Sequence, residues 1–228
     1  MSRGAKESVE AALGSDRWPE SLEPLRARVS RALVGRAVGA LARQEPRARW
    51  RAVQAVGLLV SELGKLDHEA ARDAVRRLMW SLNEESGSIG WGAPEAVAEV
   101  MARAPRLAQE FLQIYLSNIT EERLGSMPPA IREGFLWGAM RLWGVYPEEL
   151  LKRGLGEQIL PSLSSPSGAT RGLAAALLGM LGEHESASRL MALTRDATMF
   201  EVLEGAEVVS RSVGEVAREA LSRLACGR

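Results

Sequence analysis

Apolar residues recur three and four positions apart through most of this 228-residue chain, with Pro, Gly or short polar runs between the periodic stretches. That spacing puts one buried stripe on each stretch and predicts amphipathic helices. Leu25 to Ala42 carries Leu25, Val29, Leu33, Ala37, Ala40 and Leu41 on one face and Arg26, Arg28, Arg31 and Arg36 elsewhere, and reads as one helix. Further helices are predicted over 48–63, 68–82, 93–103, 106–119, 129–144, 147–160, 168–182, 185–195 and 214–225. Pro46, Pro105, Pro128-Pro129, Pro147, Pro161 and Pro166 mark their boundaries, because proline lacks the N–H that a helix interior uses. The stretch 198–213 departs from the pattern. Phe200 and Val202, then Val208 and Ser210, alternate on either side of Glu204-Gly205, which predicts a small β-hairpin, with a non-helical loop as the alternative. Residues 1–21 are polar and broken by Trp18-Pro19, so they read as a flexible N-terminal segment before a single helical domain over 22–228.

The helices repeat. An apolar pair followed by a small residue occurs at Ala12-Leu13-Gly14, Ala55-Val56-Gly57, Ala96-Val97-Ala98, Leu136-Trp137-Gly138, Leu177-Leu178-Gly179 and Ala220-Leu221-Ser222. Steps between the small residues are 43, 41, 40, 41 and 43. Two helices per unit at that period predict an all-α superhelix of the HEAT/armadillo kind. The small residue has a physical reason: helices of successive layers must approach closely, and a large side chain would hold them apart.

The stretches Arg49-Trp-Arg-Ala-Val-Gln-Ala-Val-Gly57 and Thr170–Leu181 resemble the HEAT-like repeats first described in phycobilisome lyases. The run from Trp80 to Ala96 resembles a group of prokaryotic HEAT-like proteins. This resemblance implies a fold and leaves function open, since repeat motifs are nearly silent on activity. It carries two further expectations, a lyase or chaperone for a tetrapyrrole and a base-excision enzyme like the HEAT-like alkylpurine DNA glycosylases.

Charge narrows these. Lys+Arg and Asp+Glu number 29 each, which argues against a protein built mainly to grip nucleic acid. Residues 1–51 are basic, with eleven Lys/Arg against six acids. Cys226 is the only cysteine, His68 and His184 are the only histidines, and neither a paired-Cys nor a His-Glu-x-x-His motif occurs. No metal or cofactor is expected. No apolar run reaches the ~20 residues that cross a bilayer, and residues 1–14 lack the order of a signal peptide, so a cytoplasmic location is expected.

The longest link between predicted helices is Asn83-Glu84-Glu85-Ser86-Gly87-Ser88-Ile89-Gly90-Trp91-Gly92. Long loops on helical scaffolds often carry function. Asn83, Glu84, Glu85, Ser86 and Trp91, with Trp80 just before them, form the candidate site for a protein or small ligand on the concave face that a solenoid supplies. Free N–H groups at Gly92, Ala93 and Glu95 would favour an anion, whereas Glu84 and Glu85 would favour a cation or basic peptide. The competing reading makes this a structural turn, with Trp91 plugging a gap between layers. Trp137 and Trp143 are expected in the core. The expected function is binding rather than catalysis.

Overall fold

A computed structural model describes residues 2–82 and 90–226 of the chain. The described residues form fourteen α-helices, short 3-10 turns and one two-stranded antiparallel sheet, an all-α solenoid with a small hairpin. They fall into two compact units.

The first unit comprises residues 1–112 and the hairpin tip 203–208. Its helices are α1 (Ser2–Leu13), α2 (Glu23–Arg26), α3 (Arg31–Gly39), α4 (Pro46–Leu66), α5 (His68–Ser81), α6 (Ala93–Arg103) and most of α7 (Pro105–Leu116). Proline opens α4 and α7 and sits in the first turn of α6, where its missing N–H is unneeded. Asp67 caps α5 by accepting from the Ala70 amide at 3.0 Å. On α4, Ala52, Val53, Ala55, Val56, Leu59 and Val60 are wholly buried, so this helix is the unit's axis. A Cβ built on Gly57 would lie 2.3 Å from Cγ of Glu99 on α6, which is the close approach that the repeat predicts.

At the N-terminus, residues 2–13 form α1. Val9, Ala12 and Leu13 of α1 and Trp18 after it are buried. Arg51 on α4 holds them: its Nη1 donates to the carbonyls of Leu13 at 2.7 Å and Ser15 at 2.9 Å, and its guanidinium lies 5.2 Å from the Trp18 ring centroid. Burial pushes the Arg51 pKa down, helped by nearby Arg47. Val9, Ala12 and Leu13 form only a short apolar stripe, and the fastening comes from a side chain more than thirty positions away. Lysine cannot reach both carbonyls and also stack on the ring. Arg51→Lys is therefore expected to lower stability by about 1–2 kcal/mol, read by urea denaturation, with amide exchange accelerating over residues 4–18.

The second unit comprises residues 113–202 and 209–228. It contains α8 (Glu121–Ser126), α9 (Pro129–Trp143), α10 (Pro147–Lys152), α11 (Leu155–Ile159), α12 (Gly168–Leu181), α13 (Ala187–Leu193) and α14 (Val213–Ala225). Strands β1 (Met199–Glu204) and β2 (Glu207–Ser212) form the hairpin, as the alternation predicts, with Gly205 at φ 63° in the turn. Phe200 lies against the bare backbone of Gly172, where a Cβ would come within 2.2 Å of the ring. Gly179 on α12 meets the Ala220 backbone of α14, 41 positions on, with a built Cβ only 2.7 Å from the Ala220 Cα. Gly57 and Gly179 thus perform the same packing role one repeat period before their partners. Gly14 does not: its nearest neighbour is Glu10 of its own helix, so that copy of the triplet is coincidental.

Three boundaries differ from the sequence reading. The helix expected over Leu25–Ala42 is broken between Arg26 and Arg31, where Ser30 turns extended and its hydroxyl caps α3 by accepting from Leu33 N. The helix expected over 147–160 breaks at Gly154, which takes φ 61°. A short helix not anticipated, α8, is capped by Thr120 through the Arg123 amide at 3.3 Å.

Candidate functional site

Of the six residues singled out from sequence, Asn83, Glu84, Glu85 and Ser86 lie outside the described residues. The flanks are described. Trp80 stands in the last turn of α5 with 71% of its surface exposed, whereas Trp18, Trp50 and Trp137 are buried. Trp137 is in the core as expected, and Trp143 is half-buried. Trp91 is half-buried as well.

After the link, a Cβ on Gly90 would lie 3.0 Å from the carbonyl and hydroxyl oxygens of Ser81, so the chain returns against the end of α5. Gly92 adopts φ 72° and leads into α6, packed on Leu41 and Val53. At the start of α6, one of the amides that would favour an anion is already engaged. The Ala93 amide already donates to the Gly90 carbonyl at 3.0 Å, and buried Glu95 adds a carboxylate in the first turn. A carboxylate there satisfies the positive end of the helix dipole without an outside anion.

Polar side chains one repeat apart stitch neighbouring helices. In the first unit, His68 Nε2 lies 2.9 Å from Glu110 Oε1, and Arg72 pairs with the other oxygen of that carboxylate. Hydrogen bonding to His68, with Arg72 beside it, holds the Glu110 carboxyl below its usual range. In the second unit, Gln113 donates to Glu149 at 2.8 Å and accepts from Arg153 at 3.1 Å. The histidine thus serves as a tie between layers, and the described residues hold no group of three or more His, Cys, Asp or Glu suited to a metal ion.

Each unit also has a concavity among its described residues. The first, of about 250 Å³, is floored by Val34, Val38, Leu63 and Ala74. Two of its rim charges are already matched, Arg31 by Asp67 at 2.8 Å and Asp73 by Arg76 at 3.3 Å. The second, of about 620 Å³, lies in the second unit among Glu121, Glu122, Arg132, Gln158, Ser165 and three prolines. Arg132 is its central cation. Nε donates to the Leu124 carbonyl, Nη2 to those of Gly125 at 3.2 Å and Met127 at 3.0 Å, and Nη1 to Ser165 Oγ at 3.4 Å. Every acceptor is uncharged. The sequence carries a signal for this cleft, the run Pro161-Ser-Leu-Ser-Ser-Pro-Ser167, whose prolines also act as helix breaks.

No family model and no curated protein matches the chain. Among solved structures, it is similar to the designed armadillo repeat protein YIII(Dq)4CqI at 16% identity, covering 98% of this chain and 92% of that one, with a TM-score of 0.58. An engineered protein at 14% identity gives a TM-score of 0.62 over 99% of this chain and 92% of that one. A designed armadillo repeat protein in complex with the peptide (KR)4 gives 0.60 at 16% identity, over 97% and 92%. At such identities the likeness shows the fold, a HEAT/armadillo-like helical repeat.

Proposed function

We propose that this chain is a non-catalytic binding protein whose repeat surface receives a polypeptide partner, with Trp80 as an anchor. The observation that carries this reading is the 71% exposure of Trp80 at the end of a well-packed helix. A tryptophan presented to solvent forgoes the burial that Trp50, Leu59 and Leu63 of α4 and Leu78 of α5 obtain, and such residues dominate binding energy when a partner covers them. Asn83, Glu84, Glu85, Ser86 and Trp91 join the proposal as neighbours in sequence. The peptide-bound armadillo design is a precedent for peptide recognition on this type of fold. No described helix is long and apolar enough to cross a membrane.

A peptide array probed with the labelled chain tests the reading. The parent is expected to retain a defined subset of peptides, and Trp80→Ala to weaken those spots by tenfold or more, about 1.4 kcal/mol. The melting temperature should stay unchanged, because the ring is exposed. Retention indifferent to Trp80 would move the anchor elsewhere, and no retention at all would end the reading. The two functions implied by resemblance have their own signatures: salt-sensitive retention of DNA for a base-excision enzyme, and a visible absorbance band for a phycobilisome-lyase-like tetrapyrrole protein.

A further inference from the structure

We propose that the Arg132 cleft of the second unit is a binding site for an extended basic polypeptide segment, gripped by its main-chain carbonyls and by a Lys or Arg side chain. The inference rests on the reading of the chain as a binding protein, but not on Trp80. It starts from three hydrogen-bond donors that are left over. Of the five N–H groups of a guanidinium, Arg132 commits four, so one on Nη1 is unused. No carboxylate approaches Arg132 within ion-pair distance among the described residues. Ser165 is only 9% exposed, and its Oγ accepts from Arg132 Nη1 and from the Ser167 amide at 3.3 Å. Its own hydroxyl proton has no acceptor among the described residues. Gln158 accepts the Glu121 amide through Oε1 at 3.0 Å, which fixes the orientation of its amide and leaves Nε2 as a third donor.

Unused donors on a buried hydroxyl and on a guanidinium call for an acceptor. A phosphate or carboxylate would supply one, but Glu121 and Glu122 line the same cleft, and both are exposed. Neither carboxylate has a cationic partner among the described residues. A fully anionic ligand would meet their repulsion. An extended main chain supplies neutral carbonyl acceptors at regular intervals, and a basic side chain on it answers the two glutamates. Pro129, Pro161 and Pro166 provide rigid apolar walls that donate nothing and so do not compete for those carbonyls. The cleft lies in the size range of ligand sites, about 300–1,000 Å³. The Ser165 carbonyl is separately held by Arg171 Nη1 at 2.8 Å, so the donor set stands on a fastened backbone.

The test uses the full chain and fluorescein-labelled, end-capped hexapeptides of alternating Lys and Ala, or Glu and Ala, with anisotropy read at low and moderate salt. The Lys peptide is expected to bind and the Glu peptide not. Glu121→Gln with Glu122→Gln should weaken the Lys peptide about tenfold at low salt, and Ser165→Ala should weaken it several-fold at both salts. Melting should be unchanged in the glutamine variant, since both carboxylates are exposed and unpaired. Lys-peptide binding unmoved by either variant overturns the site while leaving the binding-protein reading intact. So does inorganic phosphate binding that is lost in Ser165→Ala and strengthened by the glutamines, which would make the cleft an anion site. If neither peptide binds while the array still shows Trp80-dependent retention, this inference alone fails.

Discussion

Gly179→Leu is expected to unfold the second unit or destabilise it by more than about 3 kcal/mol, beyond the ordinary range for overpacking. A Cβ at this position stands 2.7 Å from both Cα and Cβ of Ala220 and 3.3 Å from its carbonyl oxygen. Those atoms are backbone, or one bond from it, so no side-chain rotation relieves the contact. Helices α12 and α14 would have to separate, exposing Leu177, Leu178, Val216 and Ala217, all now buried. Gly179→Ala meets the same obstacle and is expected to cost about 1–3 kcal/mol. At Gly57 the nearest atom is the Glu99 Cγ, which could swing away at the expense of the side chain's 2.7 Å bond to Arg103, and the less movable Glu99 Cβ and backbone carbon stand farther off, at 3.0 and 3.3 Å, so Gly57→Ala should cost less. Gly35 supplies the contrast. It lies exposed in α3 with nothing within 4 Å of a built Cβ, so Gly35→Ala should gain about 0.5–1 kcal/mol from helix propensity alone. Urea denaturation followed by far-ultraviolet circular dichroism ranks the four variants, and equal effects at Gly35 and Gly179 would remove the packing explanation of the repeat.

That contrast also separates what could be read from the chain alone. The period of small residues carried the layer packing, because each layer needs the same close approach and the sequence repeats wherever the physics repeats. The hairpin was equally legible, since alternation about Glu204-Gly205 is a local signal. The docking of α1 was not, because Arg51 fastens it through backbone carbonyls that leave no mark in side-chain pattern. The Arg132 cleft escaped notice for the same reason. Its donors are what remains after Leu124, Gly125 and Met127 carbonyls have taken their share, and such a remainder exists only in three dimensions. Composition drew attention instead to 83–92, of which the structure describes the flanking residues.

The other large effect belongs to Arg171. Its Nε and Nη2 donate to Asp196 Oδ2 at 2.9 and 2.7 Å, and its Nη1 to the carbonyls of Ser165 at 2.8 Å and Pro166 at 3.1 Å. The Asp196 backbone carbonyl in turn accepts from Gly214 N at 2.8 Å, at the start of α14. One guanidinium therefore ties the entry of α12 to the segment that launches the hairpin and α14. Both side chains are about one-sixth exposed, at 16% and 17%. Arg171→Met leaves a largely buried carboxylate without its cation and two carbonyls without their Arg171 donor, and is expected to cost about 2–4 kcal/mol, somewhat under the value for a fully buried pair. Burial by itself would push the Asp196 pKa up, but hydrogen bonds from Thr198 and Arg171 outweigh it and hold the carboxyl below its ordinary value. A depressed folded-state pKa stabilises the fold above the unfolded value, near pH 4, and that contribution is lost as pH falls through the folded pKa. The stability gap between the parent and Asp196→Asn is thus expected to be full at pH 7 and to shrink progressively below about pH 4. Denaturation curves across pH 2.5–7 read it, and a gap independent of pH would show that the asparagine costs the fold through lost geometry and not through charge.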